Sequence, residues 1–282
     1  MGAADGLGVM TPTAMATAQI DGRHYIVLAS APGDGIGQSG AISVMQLRLD
    51  GSLWPTDHVT DTLHTRFGNV QSIETITAGG FTYVIAAGGD DGVTIFVLMP
   101  HGRLQMLDSI ADQFNIGLEN VTALAAVQGN GKLHIYAASE ISAGVSELSF
   151  DIAQNGSVLA ASNTGANLAG SALNDILLGG FGNDDLAGGA GDDIIEDGAG
   201  RDTLSGGAGR DIFVLRSDGA PDTITDFDPA RDRLDLSSWP FLYDAAQLTI
   251  QTMFNGALVI WRNEVLIIQS LLGNPLTAAQ IR

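Results

Sequence analysis

Residues 179–214 read GGFGNDDLAGGAGDDIIEDGAGRDTLSGGAGRDIFV and keep a nine-residue clock. Asp184, Asp193, Asp202 and Asp211 are nine apart, and Asp175 in GSALNDILL extends the series backwards. Two positions after each aspartate stands an apolar residue: Leu177, Leu186, Ile195, Leu204 and Phe213. Ahead of each aspartate the chain is small and glycine-rich. A period of nine suits neither an amphipathic helix nor an alternating strand. It suits a short strand and a turn repeated as a stack, with the apolar residue pointing inward on its equivalents. The aspartates then form rows along the turns.

Rows of stacked carboxylates repel one another unless something neutralises them. Residues 170–236 hold 15 acidic and 5 basic side chains, a net of −10. A hard cation with oxygen ligands meets that need. Calcium takes about six to eight such ligands, from carboxylates and from the carbonyls that glycine turns expose. A flexible glycine-rich linker would keep no phase and no apolar residue at a fixed offset.

On these residues the chain resembles the RTX family of G-G-x-G-x-D-x-U-x repeats, most clearly over 170–214 and onward through DTITDFDPARDRLDLS at 222–237. The resemblance implies a calcium-binding parallel β-roll, with each ion between turns two repeats apart. It implies Asp175, Asp184, Asp193, Asp202 and Asp211 as carboxylate ligands. It implies carbonyl ligands from Gly180, Gly182, Gly189, Gly191, Gly198, Gly200, Gly207 and Gly209. Five repeats make three such pairs, so about three full sites are expected. Three places depart from the pattern. GSALND keeps only its first glycine, and DGAGRD opens with Asp197 where glycine is usual. Asp222 follows Asp211 by eleven residues, with two extra around Pro221, which predicts an irregular end to the stack. Asp222, Asp226, Asp232 and Asp235 are either ligands of a further calcium or solvated, strand-capping charge; Asp222 and Asp226 join the candidate ligands.

Length and charge bound the rest. A chain of 282 residues allows one or two domains. The net charge of −20, with Lys132 as its one lysine, disfavours nucleic acid and anionic membranes as partners. No apolar run is long enough to span a membrane. The absence of cysteine excludes disulfides, thiolate metal sites and cysteine catalysis. MGAADGLGVM lacks the basic and apolar regions of a secretory leader. Calcium modules of modest affinity nevertheless need extracellular calcium. The resemblance reconciles the two through type I secretion, which places a signal region in 237–282 and the protein outside the cell. In that tail GALVIW and EVLIIQSLL, joined at Arg262-Asn263, read as a hairpin, and Trp239 and Phe241 read as caps on the roll's core.

Residues 1–162 carry a longer repeat. HYIVLAS (24–30), TYVIAAG (82–88) and LHIYAAS (133–139) are equivalent, each followed by a second strand and a turn at Asp50-Gly51, His101-Gly102 or Asn155-Gly156. Three units of four strands, each in about 50–60 residues, resemble propeller blades of lactonase-like type. Closed propellers take about four to eight blades. Three leave faces and edges open, so a second copy of the chain is a possible partner that completes a ring of six.

No catalytic constellation emerges. GDGIGQSG (33–40) has dinucleotide-loop glycines, but a strand follows where that loop needs a helix. His58 and His64 have no ligand spacing, and the repeated Asp57/Asp61 and Asp108/Asp112 read as blade-turn hydrogen-bonding groups. The sequence is therefore read as all-β: propeller-like blades (1–162), a calcium β-roll (163–236) and a C-terminal region (237–282). Its reading is a secreted structural or interaction protein, with a lactonase-like hydrolase and a surface-glycan-binding module as alternatives.

Overall fold

The structure is a computed structural model that describes residues 11–31, 40–112, 116–142 and 144–281. Most of GDGIGQSG lies outside the described residues. The chain divides into two compact units, Met1–Ala153 and Gln154–Arg282.

The first unit holds three antiparallel sheets. One joins β1 (Pro12–Ile20), β2 (Arg23–Ser30), β3 (Ala41–Leu47) and β4 (Leu53–Thr60) in sequence order. The next joins β5 (Ser72–Ala78), β6 (Phe81–Ala87), β7 (Gly92–Leu98) and β8 (Leu104–Ala111). The third has only β9 (Val121–Gly129), β10 (Lys132–Ser139) and β11 (Val145–Asp151). The first hairpin of each sheet turns on two residues of positive φ: Asp21-Gly22, Gly79-Gly80 and Asn130-Gly131. Paired positive φ gives the turn whose twist matches that of the flanking strands. Every residue of β6 and β7 is buried, because the middle sheet has a neighbour on both faces. The outer sheets each keep a face open, and exposure alternates along β1 and β11.

The repeated aspartates are structural here. Asp61 accepts from the Thr65 hydroxyl at 2.7 Å and the Phe67 N–H at 3.3 Å. Asp112 holds the equivalent loop through the N–H groups of Ile116 at 2.8 Å and Leu118 at 3.3 Å. Asp57 reaches the next sheet, accepting from the Leu104 N–H at 2.7 Å.

The second unit is a parallel β-solenoid. Its strands are β12 (Asn155–Ala160), β13 (Asn167–Ala169), β14 (Asn174–Leu178), β15 (Asp185–Ala190), β16 (Ile194–Glu196), β17 (Thr203–Ala208), β18 (Ile212–Val214), β19 (Pro221–Phe227) and β20 (Arg233–Asp235). They alternate between two sheets: β12-β14-β16-β18-β20 on one side, β13-β15-β17-β19 on the other. One coil is therefore two nonapeptides, and Ile176 pairs with Ile194 and then Ile212. Leu177, Leu186, Ile195, Leu204, Phe213 and Ile224 fill the space between the sheets, fully buried. Three further strands follow: β21 (Thr249–Met253), β22 (Gly256–Trp261) and β23 (Glu264–Ser270). The β22–β23 pair is the expected antiparallel hairpin, and β23 lies parallel to β19.

Five expectations change. Asn155-Gly156 is not a turn; it opens β12, which leaves the third blade with three strands and pairs in parallel with β14. The break between units therefore falls after Ala153, not at 162. The tail 237–282 is no separate body, because its hairpin extends the roll's sheet and Val259, Leu266 and Ile268 join the roll's core. The irregular turn expected around Pro221 is present, but the stack does not end at it. Thr203 pairs with Thr223 and Leu204 with Ile224, so the two extra residues loop out while the register holds. Trp239 lies in the core as expected, but Phe241 is 58% exposed, at a positive φ of 63°, with the Arg262 guanidinium 4.5 Å over its ring.

Candidate metal centre

The alternation of sheets sorts the turns into two columns. One stacks residues 179–184 on 197–202 and then 215–222. It brings together Gly180, Gly182, Gly198 and Gly200 with Asp184, Asp202 and Asp222. The other stacks 170–175, 188–193, 206–211 and 226–232. It holds Gly189, Gly191, Gly207 and Gly209 with Asp175, Asp193, Asp211, Asp226 and Asp232.

The turns are packed too closely for side chains. A Cβ on Gly207 would lie 2.0 Å from the Gly189 carbonyl oxygen, and at φ 93° an ordinary residue would be strained as well. Gly200, at φ 131°, meets the Gly182 carbonyl in the same way at 2.3 Å. The backbone of each such glycine thus lies directly against a carbonyl oxygen of the turn before it. The Gly180 carbonyl also accepts from the Ala199 N–H at 2.9 Å, which leaves its second lone pair.

Each aspartate straddles two turns. One carboxylate oxygen takes the backbone N–H of the aspartate one coil earlier. Asp193 takes it from Asp175 at 2.7 Å, Asp202 from Asp184 at 2.7 Å and Asp211 from Asp193 at 2.9 Å. Asp222 takes it from Asp202 at 2.9 Å and Asp232 from Asp211 at 3.0 Å, so the ladder runs one coil past the regular repeats. At the beginning of the roll Asp175 and Asp184 satisfy both oxygens. Asp175 accepts from Ser157 and Ser171, and Asp184 from Ala166 and Gly180. Further along, the second oxygens of Asp193, Asp202 and Asp211 are buried with no hydrogen-bond partner among the described residues. A buried carboxylate oxygen without a partner is costly. These three atoms are the test of fit: they are oxygen donors with nothing to donate to, beside stacked carbonyls, and calcium is the cation such a set suits.

Electrostatics agree. Burial first, then the neighbouring carboxylates, raise Asp193 to about 7, and Asp202 and Asp211 to about 6. Burial with Asp202, Asp218 and Glu264 nearby raises Asp222 to about 7. The folded roll therefore holds protons that the unfolded chain, with carboxylates near 3.8, has released. In calcium-free buffer its stability is expected to be highest near the bottom of that range, to fall as pH rises to about 7, and to level off above it. Saturating calcium replaces those protons and is expected to abolish the decline. Thermal melts across this range, with and without calcium, check it; a flat calcium-free profile contradicts it.

The remaining acidic candidates differ. Asp226 satisfies both oxygens on the N–H groups of Gly206 and Gly207, each at 2.9 Å. Asp235 caps Ser237 at 2.9 Å, the strand-end role open to it. Asp197 was not among the candidate ligands. It is buried, and one of its oxygens lies within 4.8 Å of one each from Asp202 and Asp222. Its only signal in sequence is that it replaces a glycine at the head of its repeat.

Comparison with known proteins places this geometry. The model of the RTX calcium-binding nonapeptide repeat (4 copies) matches residues 165–195 and 188–218. The chain is similar to the AlgE6R3 subunit of the Azotobacter vinelandii mannuronan C5-epimerase. The identity is 30% and the TM-score 0.35, over 43% of this chain and 80% of that one. It is also similar to the GH32 beta-fructofuranosidase BmSUC1 of Bombyx mori. There the identity is 11% and the TM-score 0.31, over 45% of this chain and 29% of that one. For the extracellular lipase LipA of Serratia marcescens the identity is 17% and the TM-score 0.26, over 77% of this chain and 31% of that one. No curated protein matches the chain. With its nonapeptides wound into a parallel roll and matched by the family's own model, the stretch 165–218 is an array of RTX calcium-binding repeats.

Proposed function

We propose that this is a secreted protein whose roll is completed by calcium outside the cell and whose blade unit pairs with a second copy of the chain. The observation that carries the calcium half is the set of partnerless buried oxygens on Asp193, Asp202 and Asp211. In this reading Asp175, Asp184, Asp193, Asp202, Asp211 and Asp222 supply carboxylates. The turn glycines Gly180, Gly182, Gly189, Gly191, Gly198, Gly200, Gly207 and Gly209 supply carbonyls, and Asp226, which like Asp175 and Asp184 also holds backbone N–H groups, stands with the carboxylates. Calcium that binds only the folded roll makes folding depend on its concentration. Such a chain stays open in a calcium-poor interior, passes a type I exporter and folds outside.

The outer sheets of the blade unit support pairing. Met15 on β1, and Val127 and Val145 on β9 and β11, are each more than half exposed. The inner strands β6 and β7 of the middle sheet are buried throughout. A second copy would cover the outer sheets with strands of the same kind. No helix among the described residues is long and apolar enough to cross a membrane.

Calcium titration of the full chain, followed by circular dichroism and light scattering together, tests both halves. A rise in β-structure near millimolar calcium with a doubling of mass is expected. A strict monomer at every concentration removes the pairing; unchanged dichroism removes the calcium-driven folding.

A further inference from the structure

The turn that Asp197 opens is built differently from its neighbours. The other regular turns begin with Gly179, Gly188 and Gly206. A Cβ on Gly188 would lie 2.3 Å from Asp193 Oδ2, and one on Gly206 would lie 2.3 Å from Asp211 Oδ2. The head of a turn and its terminal carboxylate are thus neighbours, and glycine leaves that place open. At 197 the place is taken by another carboxylate.

That carboxylate is fixed. Its Oδ1 accepts from the Gly198 N–H at 2.6 Å and the Arg216 N–H at 2.9 Å, and its Oδ2 lies 3.0 Å from the same Arg216 nitrogen. The Arg216 guanidinium does not neutralise it, because that group is turned to Glu196 at 3.0 Å. Asp197 and Asp202 are each 1% exposed and Asp222 is 5% exposed. One oxygen from each lies within 4.8 Å of the others. Asp202 Oδ2 is buried and has no hydrogen-bond partner among the described residues. The facing turn, LRSDGAPD at 215–222, lacks the paired glycines that present carbonyls elsewhere. It is held in place instead by Glu264, which accepts from the Ser217 hydroxyl at 2.7 Å and the Gly219 N–H at 3.0 Å.

We infer that Asp197, Asp202 and Asp222 form a three-carboxylate cation site, distinct from the two-carboxylate sites between regular turns, which takes calcium ahead of them. The inference rests on the reading of the roll as calcium-binding and adds a ligand that the repeat pattern does not supply. Affinity for a hard divalent ion rises with the number of charged ligands and the rigidity of the site. Here the third charge stands where the facing turn offers fewer carbonyls, and backbone N–H groups hold it before the ion arrives. An ordering follows. The ion at the 197–222 gap binds first and fixes the last coil, and the regular gaps fill at higher calcium.

Calorimetric calcium titration of the full chain tests this, with Asp197→Asn, Asp197→Gly and Asp193→Asn for comparison. Asparagine keeps an acceptor for the Gly198 and Arg216 N–H groups, and glycine is the residue that the other turns use. The parent is expected to show one tight ion and a looser class, separated by roughly tenfold or more. Both Asp197 variants lose the tight ion, whereas Asp193→Asn weakens the looser class and keeps it. Melts in calcium-free buffer separate a ligand from a strut. The calcium-free melting temperature of Asp197→Asn should stay level or rise, since a buried like charge is gone, while its gain from calcium shrinks. Equal losses with and without calcium, or an isotherm unchanged in both Asp197 variants, overturn the inference. A parent that takes up no calcium at all overturns instead the reading on which it rests.

Discussion

Adding about 10 mM calcium to the calcium-free chain near neutral pH is expected to raise the melting temperature of the roll by about 10–30 °C. The size follows from linkage. A site with a dissociation constant of about 0.1–1 mM adds about 1.4–2.7 kcal/mol at that concentration. The partnerless oxygens of Asp193, Asp202 and Asp211 belong to three different turns, so more than one such term is expected to add. The calcium-free roll has the opposite problem: its buried carboxylates repel and hold protons instead of metal. Magnesium should substitute poorly, because it demands a smaller, near-octahedral shell and parts reluctantly with water. Differential scanning calorimetry with each ion checks this. A calcium shift of less than about 3 °C, or an equal one with magnesium, would contradict it.

Replacing Phe213 with alanine should cost about 3–5 kcal/mol and leave the roll unfolded at calcium concentrations that suffice for the parent. Phe213 is fully buried in the row, with the Phe227 ring 6.2 Å away. It sits between Ile195 and Leu234 in the register of its sheet. A cavity there weakens the contact between coils, and the coils set the spacing of the aspartates on both sides. The calcium midpoint should therefore rise along with the loss of stability. Phe181 is the control on the same roll. It is 67% exposed, and its replacement by alanine should fall within about 0.5 kcal/mol of the parent. Denaturant unfolding at fixed calcium distinguishes the two; equal effects would mean that the apolar row does not carry the roll.

Much of the roll was legible because two independent signals kept one phase. The aspartates mark the turns and the apolar residues two positions later mark the core, so Leu177 to Phe213 fell into place without knowledge of the fold. The last coil was legible only in part. The spacing from Asp211 to Asp222 breaks the count, yet pairing depends on strand register and not on loop length, and residues 216–220 simply bulge. Asp197 was hidden for the opposite reason. It breaks a glycine position, and nothing in sequence says whether such a side chain points to solvent or into the gap between turns. In the front unit the alternating strands and glycine turns were readable, but the destination of β12 was not. Asn155–Ala160 follows β11 where a fourth blade strand would stand, and only the parallel edge of β14 decides where it goes. Phe241 reads as a core cap from its place after the roll beside Trp239, whereas it is exposed and at a positive φ.

The division of each coil between two sheets has a consequence for how such a chain can change in length over generations. A gain or loss of eighteen residues leaves every later strand on its own side, and β23 still meets its parallel neighbour. A gain or loss of nine transposes everything downstream. The closing hairpin would then be offered the sheet of β20 instead of that of β19, and each column would inherit the other's aspartates. The heritable unit of this roll is thus the pair of repeats, although the eye finds the single one first.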